Sequence, residues 1–465
     1  MNVTVKFLGG ARTVTGSKFL LEIDGFAILV DCGLFQGMKK LRLRNWDDFP
    51  YPVDKIDAVI ITHSHIDHTG YLPRLVKEGF AGPIYCTDAT QDLMTIMLKD
   101  SAKLQEEEAE WARKKGYSKH TAPQPLYTVK DVEKALDMLI AFPFHEEVEV
   151  TENIKLKFAN AGHIIGAALV ELQLRGDEQT KKIVFSGDLG RYDDPILYDP
   201  EKLEDADILF IESTYGGRNN DWGNPIEKLK EVVLETMDRG CLLIPSFTVG
   251  RTQLLLFLLK ELLAAKEIPD VPIFIDSPMA INVTGLYTRH PSYHKLKPNE
   301  VTGRTVFDYP NIHYIRESID SKKLNNIIEG AIIISASGMC TGGRILHHLY
   351  NRLPRANDTV LFVGYQAVET RGSRIIAGEP EIKIFGEQVK VKSKIRQIDG
   401  LSAHADQKEL LRWAGGFKAS PKKTFIIHGE PESAFSLAHN LRQDLQWNNI
   451  YVPDYLESFE LFEAI

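Results

Sequence analysis

Long apolar runs and paired cysteines are both missing from this sequence. The longest run of consecutive apolar residues, at positions 254–259, is far shorter than the stretch of about 20 residues that a membrane-spanning helix needs. The N-terminus lacks a basic segment followed by a long apolar one, so we expect no secretory signal peptide. The chain has four cysteines and no Cys-x-x-Cys pair, which excludes a disulfide framework and a zinc ribbon. We therefore expect a cytoplasmic protein without a membrane partner.

Basic charge is also scarce. The 55 lysines and arginines stand against 64 aspartates and glutamates, so the formal net charge is −9 at pH 7. This balance excludes a generally basic coat for nucleic acid, although a local basic groove or bound metal ions would still attract phosphate groups. Hydrophobic residues at 43% and charged residues at 26% are ordinary for a globular protein. A length of 465 residues allows roughly two to four domains.

The pattern of short elements changes twice along the chain. Residues 1–31 contain β-rich runs separated by glycines, as in strands joined by tight turns, and up to residue 216 further strand patterns follow with helical patterns at residues 90–115 and 131–140. In residues 217–385 buried strands alternate with helical segments, which is typical of a parallel sheet in an α/β domain. The β-rich pattern returns in residues 386–465. The sequence therefore predicts an α/β protein with changes of architecture near these positions.

A buried strand followed by a dense group of histidines dominates residues 56–70. The apolar run at positions 58–61 predicts the strand, and His63, His65, Asp67 and His68 follow it directly. Residues two positions apart in an extended segment point to the same face, so His63 and His65 can bind one metal ion together. The chain then turns, and Asp67 and His68 face a second ion. Imidazole and carboxylate ligands suit zinc or a similar first-row ion, so we favour a metal site over a solvated histidine-rich turn.

Acidic residues or histidines also end several other predicted strands. These residues are Asp31, His163, Asp188 and Glu212. Each one alone is weak evidence, because an aspartate at a strand end is more often an ordinary turn residue. Glycines on both sides of His163 indicate a tight loop that approaches another segment closely. Together with residues 63–68, the strand ends predict one edge of a cleft.

Four of these features resemble a known set of motifs. Asp31, residues 63–68, His163 and Asp188 are similar to the first four motifs of the metallo-β-lactamase superfamily. That superfamily includes glyoxalases, sulfatases and lactamases, so the motifs imply the fold and the metal site but not the substrate.

Three further residues narrow the resemblance. Glu212 in Ile-Glu-Ser-Thr-Tyr-Gly, His404 in Ser-Ala-His-Ala-Asp and His428 in Ile-His-Gly-Glu resemble motifs A, B and C of the β-CASP nucleases. The resemblance implies a metallo-β-lactamase αββα sandwich with an inserted α/β β-CASP domain, in which a parallel sheet is flanked by helices. The boundaries are then approximately 1–216 for the first part of the sandwich, 217–385 for the insertion and 386–465 for the last part.

The residue at motif C separates two branches of this family. RNA-processing members carry a histidine there, whereas DNA-repair members typically carry valine, so His428 implies the RNA branch. The chain resembles the bacterial and archaeal homologues of the pre-mRNA 3′-end-processing endonuclease. It departs from them at residues 368–374, where Val-Glu-Thr-Arg-Gly-Ser-Arg replaces Glu-Gly-Thr-Leu-Gly-Arg. We expect no appended KH-type RNA-binding domain and no strongly basic C-terminal arm.

The resemblance implies two zinc ions, with manganese as an alternative, and a role for each motif residue. The first ion has the ligands His63, His65, His163 and Asp188, and the second has Asp67, His68, Asp188 and His428. The ions share a hydroxide that attacks an RNA phosphodiester, and Asp67 orients it. His404 is the expected general acid, Glu212 keeps it protonated, and Asp31 supports a ligand histidine from behind.

The expected partner is single-stranded RNA, in RNA processing or decay. Ser337, Arg344, Arg371 and Arg374 of the insertion are candidate phosphate contacts, with ordinary capping or surface roles as an equal alternative. Endonucleolytic and 5′-exonucleolytic cleavage both stay open at this point, as does a homodimer. The alternative functions are a DNA-directed nuclease of the same family, a small-molecule ester or amide hydrolase of the superfamily, and a catalytically silent RNA-binding subunit.

Overall fold

A computed structural model describes residues 2–115, 123–177, 179–219, 223–298, 305–364, 366 and 369–462. The chain forms two compact units. The first, here called the sandwich unit, comprises Met1–Asn219 and His404–Ile465, and the second, the inserted unit, comprises Asn220–Ala403. Among the described residues, no helix has both the length and the apolar character that crossing a membrane requires.

The elements follow one another along the chain in three segments. In Met1–Asn219 the strands are β1 (Val3–Gly9), β2 (Lys18–Ile23), β3 (Phe26–Val30), β4 (Ala58–Ile60), β5 (Ile84–Cys86), β6 (Leu139–Ala141), β7 (Glu147–Thr151), β8 (Ile154–Asn160), β9 (Ala168–Arg175), β10 (Thr180–Phe185) and β11 (Ile208–Glu212). The helices of the same segment are α1 (Lys39–Leu43), α2 (Ile66–Thr69), α3 (Leu72–Lys77), α4 (Asp88–Lys115) and α5 (Val129–Leu136).

The inserted unit and the C-terminal segment complete the series. In the inserted unit the strands are β12 (Cys241–Pro245), β13 (Ile273–Ile275), β14 (Ile312–Tyr314), β15 (Ala331–Ser335), β16 (Thr359–Val363), β17 (Glu381–Ile384), β18 (Glu387–Lys390) and β19 (Lys394–Ile398). Its helices are α6 (Pro225–Met237), α7 (Arg251–Ala264), α8 (Pro278–Arg289), α9 (Ser318–Lys323), α10 (Arg344–Arg352) and α11 (Arg371–Ile376). The C-terminal segment of the sandwich unit contains α12 (Gln407–Ala414), β20 (Lys423–Ile427), α13 (Pro431–Asp444), β21 (Ile450–Tyr451) and β22 (Ser458–Phe462).

Two seven-stranded sheets pack face to face in the sandwich unit. Their strand orders are β22-β1-β2-β3-β4-β5-β6 and β21-β20-β11-β10-β9-β8-β7, so β1 and β22, from opposite ends of the chain, are neighbours. Alternate residues of β1 are buried in the interface, where Phe185 and Phe210 stack with their ring centroids 4.1 Å apart. Burying each such side chain stabilises the fold by about 1.5–3 kcal/mol. Helices α3, α4 and α5 cover the other face of the first sheet through a second apolar cluster.

A six-stranded sheet forms the centre of the inserted unit. Its order is β14-β13-β15-β12-β16-β19, and all its pairings are parallel. Every residue of β12, β15 and β16 is buried, as expected for strands that helices cover on both faces. Strand β19 pairs with β16, and the inserted unit extends to Ala403. The β-rich pattern after residue 385 thus begins within the inserted unit.

Candidate metal centre

The candidate site lies where several strands of the sandwich unit end. Asp31 follows β3, and Asp188 follows β10. The histidine-rich segment of residues 63–68 follows β4 and overlaps α2. Glu212 is the last residue of β11, and His428 comes directly after β20. The strand pairs β3–β4, β10–β11 and β11–β20 are parallel, so the carboxyl ends of paired strands lie at the same edge of their sheet. This explains how residues so far apart in sequence meet.

Backbone geometry at this edge is unusual for residues other than glycine. Asp31 has a φ of +58° and His428 a φ of +46°, both in the left-handed region that costs energy for a side chain. The loop of His163 depends on its glycines, as the sequence predicted. Gly162 has a φ of +73°, and a Cβ on Gly190 would lie 1.9 Å from the Gly162 carbonyl oxygen.

Three histidines and one aspartate form the first cluster. Their ligand atoms, from His63, His65, His163 and Asp188, all lie within 4.8 Å of one another. His63 Nε2 lies 3.0 Å from His65 Nδ1, and His163 Nε2 lies 3.3 Å from the same atom. Asp188 Oδ2 lies 3.4 Å from His63 Nε2. The four side chains therefore converge on one point.

Asp67, His68 and His428 form the second cluster, also within 4.8 Å. The two histidine Nε2 atoms lie 3.2 Å apart, and Asp67 Oδ2 lies 3.5 Å from His428 Nε2. Asp188 Oδ1 lies 3.4 Å from His68 Nε2 and 3.2 Å from His428 Nδ1. Because its other carboxylate oxygen faces the first cluster, Asp188 lies between the two.

The donor atoms fit a bound metal. Asp188 Oδ1 is buried and accepts no hydrogen bond, although two ring nitrogens lie near it. Burial lowers the pKa of His63 well below its usual range and that of His65 to about 4, which keeps both rings in the neutral form that binds metals. Burial opposes protonation of His68 as well, but the carboxylates of Asp188 and Asp31 raise its pKa to about 10. The imidazole and carboxylate donors therefore converge in two groups that could each hold a metal ion.

A carboxylate stands behind the second cluster. Asp31 Oδ2 lies 2.7 Å from His68 Nδ1, and Asp31 also accepts hydrogen bonds from the backbone N–H of Thr62 at 2.8 Å and from its hydroxyl at 2.9 Å. The Thr62 hydroxyl lies 3.0 Å from His63 Nδ1 as well. Thr62 therefore contacts His63 of the first cluster directly and His68 of the second cluster through Asp31. Thr62 was not a predicted site residue, although its position directly before His63 is a usable signal.

Glu212 and His404 form a dyad beside the clusters. Glu212 Oε1 lies 3.2 Å from His404 Nδ1 and accepts a 2.8 Å hydrogen bond from the backbone N–H of Leu189. A backbone bond from Ala405 N to Leu189 O and a bridge between Gly190 and His404 hold this loop next to Asp188. Burial opposes protonation of His404, but Glu212, helped by Asp188, raises its pKa to about 9. His404 therefore carries a proton at neutral pH.

Two residues of the Glu212 strand end complete the surroundings of the dyad. The Thr214 hydroxyl lies 3.2 Å from His428 Nδ1, and the Thr214 backbone N–H donates to Glu212 Oε2 at 3.0 Å. The Tyr215 ring lies edge-on to His404 at a centroid distance of 5.8 Å. Neither was a predicted site residue. The signal that could have found them is their place in Glu-Ser-Thr-Tyr, directly after a predicted motif residue.

Comparison with known families accounts for nearly the whole chain. Residues 13–236 match the model of the metallo-beta-lactamase superfamily, residues 252–375 that of the Beta-Casp domain, and residues 388–453 that of the Zn-dependent metallo-hydrolase RNA specificity domain. Ribonuclease TTHA0252 of Thermus thermophilus is 36% identical over 92% of this chain and 94% of its own length. The chain belongs to the β-CASP family of the metallo-β-lactamase superfamily. It is a metal-dependent hydrolase with an α/β fold, and its histidine and aspartate clusters are arranged so that they could hold a metal ion.

More distant relatives share the same family. Transcription termination factor FttA of Methanocaldococcus jannaschii is 31% identical over 99% of this chain and 72% of its own length. FttA of Methanosarcina mazei is 32% identical over 96% of this chain and 69% of its own length. The fold is similar to the crystal structure of a protein of unknown function from Enterococcus faecalis, with a TM-score of 0.55. The match covers 99% of this chain and 100% of the Enterococcus faecalis chain. Its sequence identity is 12%, so this last likeness concerns the fold alone.

The candidate phosphate contacts of the β-CASP protein lie in its inserted unit, where the three arginines already have protein partners. Arg344 donates to Asp276 Oδ1 at 2.6 Å and to the Ile315 carbonyl at 3.0 Å. Arg371 donates to the Lys383 carbonyl at 3.0 Å, and Arg374 pairs with Glu379.

The remaining candidate of this set, Ser337, lies 3.1 Å from the Thr341 hydroxyl. Val368, the first residue of the departing loop, lies outside the described residues. Phosphate binding by the four side chains therefore stays a prediction.

Proposed function

We propose that this protein is a zinc-dependent ribonuclease that hydrolyses phosphodiester bonds of single-stranded RNA in RNA processing or decay. The observation that carries the proposal is the Glu212–His404 dyad, which adds a protonated histidine to a metal-binding site. Two observations support RNA as the substrate. One is the similarity to relatives that are called a ribonuclease and a transcription termination factor, and the other is the match of residues 388–453 to an RNA specificity domain.

Two zinc ions would be held by the two clusters. His63, His65, His163 and Asp188 would bind the first ion, and Asp67, His68 and His428 the second, with Asp188 shared between them. Nitrogen donors with carboxylates suit zinc, and manganese is the alternative metal. When bound, such a pair supplies Lewis acidity to a phosphoryl oxygen and lowers the pKa of water towards neutrality.

The side chains of the protein then move protons and orient the reactants. Asp67 is partly exposed, and hydrogen bonding to His428 outweighs burial and lowers the pKa of its carboxyl group. An ionised Asp67 can accept a hydrogen bond from the attacking water and aim it at phosphorus. His404 donates its proton to the leaving 3′ oxygen, and general acid catalysis of this kind contributes about 10²–10⁴-fold in rate. Glu212 keeps that proton in place, and Asp31 orients His68.

Cleavage of end-labelled single-stranded RNA, with and without a chelator, tests the proposal. We expect chelator-sensitive cleavage that is lost in His404→Ala and retained in His439→Ala, a matched change at an exposed histidine of the same unit. Cleavage that survives the chelator, or an unchanged rate in His404→Ala, would contradict it. The same assay on single-stranded DNA, where we expect slower cleavage, separates this function from that of a DNA-directed nuclease. A time course distinguishes a ladder of internal cuts from release of mononucleotides at the 5′ end.

A further inference from the structure

A basic segment of the sandwich unit takes no part in the metal site. Residues 35–46, here called the basic loop, run from the end of the Asp31 strand through α1 and contain Lys39, Lys40, Arg42 and Arg44 but no acidic residue. The first three of these cations are exposed. Large apolar side chains stand among them in water: Met38 is 61% exposed, Leu43 52% and Trp46 53%.

The basic loop is held in one shape despite its exposure. Asn45 is buried, and its side chain accepts a 2.9 Å hydrogen bond from Phe35 N and donates a 2.8 Å bond to Phe35 O. This reciprocal pair closes the loop at its base. The Arg44 guanidinium lies over the Tyr455 ring at 3.8 Å, which fixes the end of the loop to the C-terminal segment. A loop closed in this way presents its side chains without losing much conformational freedom on binding.

The base of the basic loop is attached to the metal-binding segment. Leu34 N donates to Ile66 O at 2.9 Å, and Cys32 N donates to His68 O at 2.7 Å. From Leu34 the chain reaches Met38 in four residues, which span at most about 14 Å. The start of the basic loop is therefore tied to the segment that carries His65, Asp67 and His68.

The basic loop contains no acidic residue, although the chain as a whole has a net charge of −9. Among the described carboxylates, none forms an ion pair with Lys39, Lys40 or Arg42. Asp47 and Asp48 follow Trp46 directly. Cations close to an exposed tryptophan are what a single strand of nucleic acid requires, because phosphates bind the former and bases stack on the latter.

We propose that the basic loop is a docking surface for single-stranded RNA, and that it holds the strand on one side of the scissile phosphodiester. Lys39, Lys40 and Arg42 bind phosphates, and Trp46 stacks on a base. This inference rests on the proposed ribonuclease function and adds a binding surface outside the metal centre.

The decisive experiment compares a long and a short substrate. The long RNA has about 20 nucleotides, more than the 4–16 that a single-strand-binding domain covers, and the short one has about four. In the triple variant Lys39→Glu/Lys40→Glu/Arg42→Glu, the ratio of kcat/KM for the long RNA to that for the short RNA should fall at least about tenfold, mainly through KM. The slope of log KM against log salt should decrease by about two, since each phosphate contact on a single strand contributes about 0.7.

Matched variants separate a docking role from a general effect of charge. Lys103→Glu/Lys134→Glu/Lys202→Glu changes the net charge by the same amount at exposed lysines elsewhere in the sandwich unit, and should keep the wild-type ratio. The charge-retaining variant Lys39→Arg/Lys40→Arg/Arg42→Lys should keep it too. Trp46→Ala should lower the ratio about fivefold or more, whereas Trp46→Phe, which still stacks, should lower it less.

Three results would overturn the inference that the basic loop binds RNA. An unchanged ratio in both the charge-reversed variant and Trp46→Ala, in proteins whose unfolding curves match the wild type, would remove the docking surface and leave the ribonuclease function standing. A changed oligomeric mass in the charge-reversed variant with the ratio retained would identify a protein interface instead. If the wild-type protein cleaves neither RNA, the proposed function fails, and this inference fails with it.

Discussion

Asp31 Oδ2 lies 2.7 Å from His68 Nδ1, while His68 Nε2 lies 3.4 Å from Asp188 Oδ1. The aspartate therefore accepts a hydrogen bond from the rear nitrogen and orients the front nitrogen towards the site. Asp31 is itself fixed by Thr62, through a backbone and a hydroxyl hydrogen bond. We predict from this arrangement that Asp31 supports metal binding without direct contact to a metal.

Replacement of Asp31 by asparagine should weaken metal binding about 10–100-fold. The amide carries no charge, and its NH₂ group would face either the Thr62 donors or the His68 N–H, where an acceptor is required. Competition against a chelator of known affinity measures the change. Asp54→Asn, at an exposed position of the same unit, is the matched control. Equal metal affinity in Asp31→Asn and wild type would limit Asp31 to a purely structural role.

Glu212→Gln should move the alkaline limb of the kcat/KM profile to lower pH. Glu212 raises the pKa of His404 to about 9 against the opposing effect of burial, so the general acid stays protonated up to that pH. Without the carboxylate, His404 loses its proton at a lower pH and activity declines earlier. The measurement is kcat/KM on single-stranded RNA between about pH 6 and 10, a range that brackets the usual and the shifted histidine values.

Glu212 lies within 4.8 Å of Asp188 and His404, but its two oxygens already have partners in Leu189 N, Thr214 N and His404 Nδ1. The metal content of Glu212→Gln should therefore stay at the wild-type level. Glu204→Gln, at an exposed glutamate of the same unit, should leave the profile unchanged. An alkaline limb that does not move in Glu212→Gln would show that His404 is not the group whose titration ends activity.

Sequence patterns predicted the residues that meet at the site because each one follows a recognisable strand. The apolar runs before His63 and His428 both indicated strand ends, and the two segments lie side by side although His68 and His428 are 360 positions apart. The patterns of residues 225–237 and 331–335 indicate a helix and a strand, and the structure has both elements with these bounds, as Pro225–Met237 and Ala331–Ser335. In these cases local apolar periodicity and tertiary burial favour the same structure.

Other features depend on partners that the local sequence does not reveal. Residues 131–140 predict a single helix, but α5 ends at Leu136, and Leu139–Ala141 instead pairs with β5. Similarly, β19 belongs to the inserted unit because it pairs with β16, which no pattern near residue 394 indicates. Arg344 was a candidate phosphate contact, yet its guanidinium binds Asp276, 68 positions earlier in the chain.

Removal of metal should destabilise the sandwich unit measurably. The two clusters gather two carboxylates and five imidazoles in a small volume, and without a cation the carboxylates of Asp67 and Asp188 lie on opposite sides of the His428 ring. A metal that binds only the folded state stabilises it by about 2.7 kcal/mol at a concentration 100 times its Kd. Calorimetry with a chelator and then with added zinc should show a lowered and restored Tm. The variant His63→Ala/His65→Ala should respond less to zinc, and an equal response would contradict metal binding at these residues.

Asp276→Asn should lower the stability of the inserted unit by about 3 kcal/mol at neutral pH, because breaking a buried ion pair leaves its partner uncompensated. The carboxylate follows β13, is fully buried and accepts hydrogen bonds from Arg344 and His348 at 2.6 Å each and from Ser321 at 2.5 Å. Burial raises the pKa of Asp276, but these donors outweigh it and hold the pKa below its ordinary value of 3.8.

The sign of this pH dependence follows from the lowered pKa of Asp276. The stabilisation is complete above about pH 4, where the carboxyl group is ionised even in the unfolded chain, and is lost as the pH falls through the lower value of the folded state. The difference in unfolding free energy between wild type and Asp276→Asn should therefore be constant from neutral pH to about pH 4 and shrink below it. Denaturant unfolding at several pH values measures that difference, with Asp238→Asn at an exposed position of the same unit as control. A difference that persists undiminished below pH 4 would mean that the geometry of the side chain, and not its charge, stabilises this unit.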